Sequence, residues 1–187
     1  RLHRHRMRPG VRADRMPARD LLAHDFGSGH RHLPDDEERG LGAVLIERFE
    51  DRWSWGDLSE NKALPWSLEL IEHNENRWDW GDLHRVGLSG NTALPWSLEL
   101  IERYEGRWQW ERLSENTALP WSRELIERYK GRWDWARLSW NKALSWSLEL
   151  IERFEDRWDW QGLSQNKALP WSLELIERFE DRWNWQG

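Results

Sequence analysis

Three kinds of residue in this chain could do chemistry. His3-x-His5, His30-x-His32 and His24 beside Asp25 offer the imidazole and carboxylate donors that bind zinc. A zinc site needs four such donors in fixed geometry, and these lie in a stretch with no evident fold, so no metal or other cofactor is expected. The repeated carboxylates, Glu99 with Glu102 and Glu174 with Glu177, could suggest acid–base work. Such work needs carboxyl groups whose surroundings drive their pKa values apart. Copies at i, i+3 in successive repeats share one wet face instead, and no phosphate loop, His-Glu-x-x-His or nucleophile motif accompanies them. The chain is therefore expected not to be an enzyme. The third group is tryptophan, whose Trp-x-Trp pairs could stack on sugars or on exposed bases of single-stranded nucleic acid.

What positions these rings is a tandem repeat. The segment Ala-Leu-Pro-Trp-Ser-Leu-Glu-Leu-Ile-Glu-Arg, followed four residues on by Trp-x-Trp, returns along the chain and accounts for 17 of the 18 tryptophans. The Asn of Leu-Ser-x-Asn falls at 61, 91, 116, 141 and 166, which makes the unit 25 residues with one five-residue insertion within Leu83 to Leu88. Five residues exceed one helical turn, so a loop or bulge is expected there. Neighbouring copies of so short a unit must stack to bury anything. Three rings per unit can contribute roughly 15 kcal/mol of gross burial, against an ordering entropy of tens of kcal/mol for the unit. The tryptophans are therefore expected inside, as core, with Arg107, Arg132, Arg157 and Arg182 before the pairs stacking on rings as cation–π contacts.

Within a unit, Leu150, Ile151, Phe154 and Trp158 recur at i, i+1, i+4 and i+8, a helical apolar stripe. Ser147 precedes it as an N-cap, and Glu149 and Glu152 lie in the early turns where acids are favoured. The pattern predicts a helix of roughly ten residues, fraying near Asp156. Glu99–Arg103, Glu124–Arg128, Glu149–Arg153 and Glu174–Arg178 stand at i, i+4 in the favourable order for pairs on a solvated face. A second, shorter helix is predicted from Trp-x-Trp onward, capped by Ser54, Asp79, Asp134, Asp159 or Asn184, with Gln109 as the exception. The closing Asn suits a left-handed cap.

The fold class that follows is all-α, a short helical-repeat solenoid of helix, turn, short helix and turn. The alternative is a leucine-rich-repeat-like horseshoe, since Leu-Ser-x-Asn-x-x-Leu-Pro and a 25-residue period suit that class. Its inward strand position would fall on Gly56, Glu111, Ala136 and Gln161, and on Val86 beside the insertion, mostly unfit for a buried strand. The string Trp-x-Trp-x-x-Leu-Ser-x-Asn-x-x-Leu-Pro-Trp-Ser-x-x-Leu-Ile resembles the tryptophan-rich tandem repeats of uncharacterised bacterial proteins, with a similar pattern in giant-virus proteins. The resemblance covers about residues 41–187 and implies no reaction, ligand or catalytic residue.

Charge divides the chain as the repeat does. Residues 1–19 carry seven arginines against one aspartate, whereas residues 41–187 carry 19 basic and 27 acidic residues. Residues 1–40 lack periodicity and read as disordered, and their arginines as a solvated tail. The array is expected over 41–187, beginning near Leu41 with an atypical copy in which Gly40-Leu41-Gly42 replaces Pro-Trp-Ser. An acidic array makes nucleic acid an unfavourable partner. No apolar run approaches a membrane span and no signal peptide is visible, so a cytoplasmic location without membrane contact is expected. The chain begins at Arg1 and stops inside a repeat at Gly187, so both ends read as fragment boundaries. An uncapped last unit would favour self-association through the C-terminal end.

The positions that differ between units point to function. The residue before the recurring Asn is Glu60, Gly90, Glu115, Trp140 or Gln165, and the differences concentrate in the second helix and its turn. Trp140, with His84, Arg85 and Val86 of the insertion and with Arg112 and Arg137, forms the candidate contact surface. The expected function is a non-catalytic scaffold that binds another protein along one face. The alternative is a binding module for single-stranded nucleic acid or polysaccharide through exposed tryptophans.

Overall fold

Ser67, Ser97, Ser122, Ser147 and Ser172 each accept a hydrogen bond from the backbone N–H three residues on, at 3.1–3.2 Å. This is the N-cap expected from the sequence, and it starts one helix in every unit. The computed structural model describes residues 46–82 and 84–185. The expectations for residues 1–40, for the array's start near Leu41 and for Leu83 lie outside them. After a helical turn at residues 46–48, helices of two series alternate. The first series is α2 (Leu68–His73), α4 (Leu98–Arg103), α6 (Arg123–Arg128), α8 (Leu148–Arg153) and α10 (Leu173–Arg178). The second is α1 (Trp55–Glu60), α3 (Gly87–Gly90), α5 (Trp110–Glu115), α7 (Trp135–Trp140) and α9 (Trp160–Gln165). Successive members of the second series pack on one another. The described residues contain no strand, so the fold is the all-α solenoid and not the horseshoe.

The first-series helices are shorter than predicted, because an indole ends them. In α8 the chain tightens after Arg153, and Glu155 N–H bonds back to Glu152 rather than to Ile151. The Ile151 carbonyl, which a continuing helix would have used, accepts instead from Trp158 Nε1 at 3.1 Å. The same bond recurs from Trp78 to Ile71, Trp108 to Ile101, Trp133 to Ile126 and Trp183 to Ile176. The second tryptophan of each pair donates to a carbonyl five residues back, as Trp160 does to Glu155. The tryptophan before each cap serine donates to the Asn carbonyl, as Trp146 does to Asn141. Tryptophan thus supplies both the buried area and the hydrogen bonds that allow six-residue helices to close.

The recurring Asn is not a left-handed cap. Asn116 has φ −70° and ψ 120°, and among the described residues only Gly81 and Gly87 have positive φ. Its side chain is buried and fully used. Asn116 Nδ2 donates to Ser89 O of the preceding unit at 3.1 Å, and Oδ1 accepts from Ala118 N–H at 2.9 Å. Asn91, Asn141 and Asn166 repeat the pattern on Ser59, Ser114 and Ser139. The serines close the spine from the other side: Ser114 Oγ donates to Trp110 O and accepts from Asp134 N–H of the next unit. A buried amide with no spare donor fixes which backbone it faces.

Around this spine, Leu58, Leu88, Leu113, Leu138 and Leu163 are fully buried, as are Ile71, Ile101, Ile126 and Ile151. From Trp78 onward, the first ring of each pair lies between two others. Trp133 sits 4.9 Å from Trp110 of the preceding unit and 5.1 Å from Trp121, centroid to centroid.

Second-series caps are uneven. Asp134 and Asp159 accept from Arg137 and Gln161 N–H, both at 3.1 Å, while Ser54 and Gln109 make no such bond. Asp79 does not cap a helix, because the insertion delays α3 to Gly87, and its carboxylate takes Gly81 N–H instead. Gly81 has φ 101°, and a Cβ there would come 2.7 Å from Val86 O, so the insertion closes only with glycine at that point.

Candidate interaction surface

All six residues singled out from the sequence lie along the ridge made by the second-series helices. His84, Arg85 and Val86 precede α3, Arg112 lies in α5, and Arg137 and Trp140 lie in α7. Each also contributes to the array's own structure. Arg85 lies against Gly56 and within 3.8 Å of Asp79. Val86 N–H donates to Glu60 Oε1 at 3.1 Å, and the Val86 side chain covers Gly90. Asp82 Oδ1 accepts from Arg85 and His84 N–H, and these bonds hold its carboxyl below the usual range. Arg112 pairs with Glu115 at 3.8 Å.

The clearest order appears where one unit meets the next. Glu115, the residue before the recurring Asn, pairs with Arg137 of the following unit, which also holds Asp134 at 2.9 Å. One junction on, Trp140 occupies the acid's position and Gly162 the arginine's. A Cβ on Gly162 would come 2.7 Å from Trp140 Nε1. Acid meets base at one junction, and a large ring meets glycine at the next. Trp140 nevertheless stays 46% exposed. Among the described tryptophans it is also the one whose indole N–H makes no hydrogen bond.

On the first-series side, the arginines expected to pair within their own helix mostly reach across to the preceding unit. Glu99–Arg103 forms at 3.2 Å. Arg128, Arg153 and Arg178 instead pair with Glu102, Glu127 and Glu152 of the unit before. Neighbouring helices present a carboxylate within reach without bending the side chain along its own axis. The arginines before the Trp-x-Trp pairs do stack on rings: Arg107, Arg132, Arg157 and Arg182 lie 5.3–5.9 Å from Trp80, Trp110, Trp135 and Trp160. Each ring belongs to the preceding unit.

A residue that sequence reasoning passed over completes the surface. One residue beyond the cap of the opening turn and of each first-series helix, a cap that is aromatic except at Asn74, stand Glu50, Glu75, Glu105, Lys130, Glu155 and Glu180. Four of these acids hold the arginine of the next unit, whereas Lys130, at the same aligned position, pairs with Glu127 of its own unit. The reversal of sign within an aligned column was the available signal.

Among the described residues no group of three or more His, Asp or Glu could hold a metal ion, and no helix is long and apolar enough to cross a membrane. The molecule is a tryptophan-rich, periodic repeat scaffold. No family model matches the chain, and comparison with the curated proteins and with the solved structures finds no match to it.

Proposed function

We propose that the array is a non-catalytic scaffold that binds another protein along the second-series ridge, with Trp140 as an anchor. The observation that carries this reading is the state of Trp140. Its ring is half exposed and its N–H is unused, in a chain whose other described indoles all donate to backbone carbonyls. Tryptophans with one apolar face and one open donor are frequent anchors of protein interfaces. Val86 is a second exposed apolar side chain on the same ridge, two units away. The resemblance to bacterial tryptophan-rich repeats adds no ligand to this reading.

Binding of nucleic acid or polysaccharide by tryptophan stacking is less well supported, since from Trp78 onward the first ring of each pair is packed among neighbouring rings. The test is a comparative pull-down with the full chain and its Trp140→Ala variant, each checked for an unchanged helical spectrum. Selective loss of a partner from the variant is the expected result. An identical set of captured proteins would remove Trp140 from the interface.

A further inference from the structure

The arginine before each Trp-x-Trp pair has a recurrent partner. Arg77 meets Glu50 at 3.0 Å, Arg107 meets Glu75 at 3.7 Å, Arg132 meets Glu105 at 3.1 Å, and Arg182 meets Glu155 at 3.0 Å. Two of these arginines take a second acceptor from the residue after the acid, Asn76 for Arg107 and Asp156 for Arg182. At the remaining junction both acceptors are gone. Lys130 stands in place of the glutamate and Gly131 in place of the second acceptor. Arg157 keeps its seat over the Trp135 ring at 5.8 Å but makes no ion pair among the described residues. Lys130 turns away to Glu127 at 2.8 Å, a carboxylate that Arg153 also holds at 3.2 Å. A Cβ on Gly131 would meet nothing within 4 Å, so the space beside the rung is open.

The result is an unfilled rung: Arg157 lies over the Trp135 ring with no carboxylate paired to it, while Lys130 and Arg153 share Glu127. The array around it is net acidic, with 27 acidic against 19 basic residues over 41–187. The four filled rungs show what such an arginine takes when a partner is supplied. We propose that this unfilled rung receives a carboxylate from an acidic segment of a partner protein, the carboxylate lying beside Arg157 as Glu105 lies beside Arg132. The proposal rests on the reading of the array as a protein-binding scaffold and gives that partner its charge. An acidic segment is repelled by the rest of the array and drawn to this point, so the rung supplies position more than affinity. The attraction weakens with salt, as between exposed charges.

The test is an NMR titration of the full chain with a short glutamate peptide, followed at the arginine side-chain and tryptophan indole signals. In the wild-type chain the Arg157 and Trp135 signals should move first. Lys130→Glu restores the common rung, so the fold is kept while the rung is filled, and peptide binding at Arg157 should weaken by about 5-fold, the upper range for one exposed pair. Glu105→Lys should open a second rung and add Arg132 to the responding signals. Failure of Arg157 to respond, an unchanged response in Lys130→Glu, or a stronger response to oligothymidylate than to the peptide would each overturn the proposal. A Trp140→Ala chain that still responds at Arg157 would separate this rung from the Trp140 anchor, so either idea can fail alone.

Discussion

Along the first-series side of the array, Glu72, Glu102, Glu127 and Glu152 each meet an arginine of the next unit, so one contact recurs at four junctions. Along the second-series ridge no two described junctions repeat. Glu60 takes backbone N–H groups of the insertion, Glu115 takes Arg137, and Trp140 lies across Gly162. A recurrent contact helps units stack but cannot tell one neighbour from another. Shifting the array by a whole unit would satisfy the first-series rungs, the tryptophan core and the Ser–Asn spine almost as well as the native register. The same shift would set Glu115 against Gly162 and Trp140 out of its glycine seat. Variation on the ridge therefore opposes misregistered stacking, much as polar contacts at single positions set register in other repeating folds.

The sharpest way to test this division is to damage a contact that recurs between units and so does not discriminate. Asn116→Ala removes an amide that bonds Ser89 O, Asn91 O and Ala118 N–H, and leaves buried backbone groups without partners. A loss of about 3 kcal/mol is expected in urea unfolding. A loss no greater than that of a surface ion pair would show that the Asn spine is dispensable and that the core alone holds the units. Trp133→Phe asks the same of the indole cap. Phenylalanine keeps one aromatic ring but leaves the Ile126 carbonyl without its donor and a void where the rest of the indole packed, so about 2 kcal/mol should be lost.

On the ridge, Gly162→Ala drives a methyl toward Trp140 Nε1, and this clash should cancel the roughly 1 kcal/mol that alanine otherwise gains over glycine within a helix. Trp140→Ala in the same chain should recover most of that. The cycle then shows a coupling that independent surface positions lack. Additive effects would mean that the ring merely lies near the glycine, and the discriminating role of this junction would fall.

What could be read from the sequence was what acts within one unit. The Ser147 cap, the Leu150–Ile151–Phe154–Trp158 stripe and the 25-residue period depend on neighbours a few residues away, and all appear in the structure. What could not be read acts between units. Arg153 has a carboxylate four residues back, Glu149, and another 26 residues back, Glu127, and it takes the second. In a repeat every periodic position offers both a local and a neighbouring partner with similar chemistry, and spacing alone does not choose. Trp158 was legible as a buried ring, but not as the donor that ends α8. Asn116 was legible as a helix end, yet its amide looks outward to the previous unit. Of the ridge, Trp140 stood out by type, whereas its seat on Gly162 and the open rung at Lys130 depend on alignment in space.

Glu115 and Arg137 give the smaller effect on the ridge. Both are exposed enough for water to screen them, so exchanging the two should change stability by less than about 1 kcal/mol, and less at high salt. Reversing only one should be worse than exchanging both, if the junction recognises charge complementarity.

The smallest effect is one of pH, and it bears on the first-series side. Lys130, then Arg153, hold the Glu127 carboxyl below the ordinary glutamate range. A group whose folded pKa is depressed contributes stability above its unfolded pKa, and that contribution disappears as pH falls through the lower, folded value. Glu127 should therefore still be ionised where an ordinary glutamate has taken up its proton. Its carboxyl carbon shift in an NMR titration reads this directly. In Lys130→Glu the lysine donor is replaced by an acid, so the Glu127 midpoint should rise toward the ordinary value. A midpoint that stays put would place the whole shift on Arg153, and the first-series ladder would then be uniform even at the junction where its sign reverses.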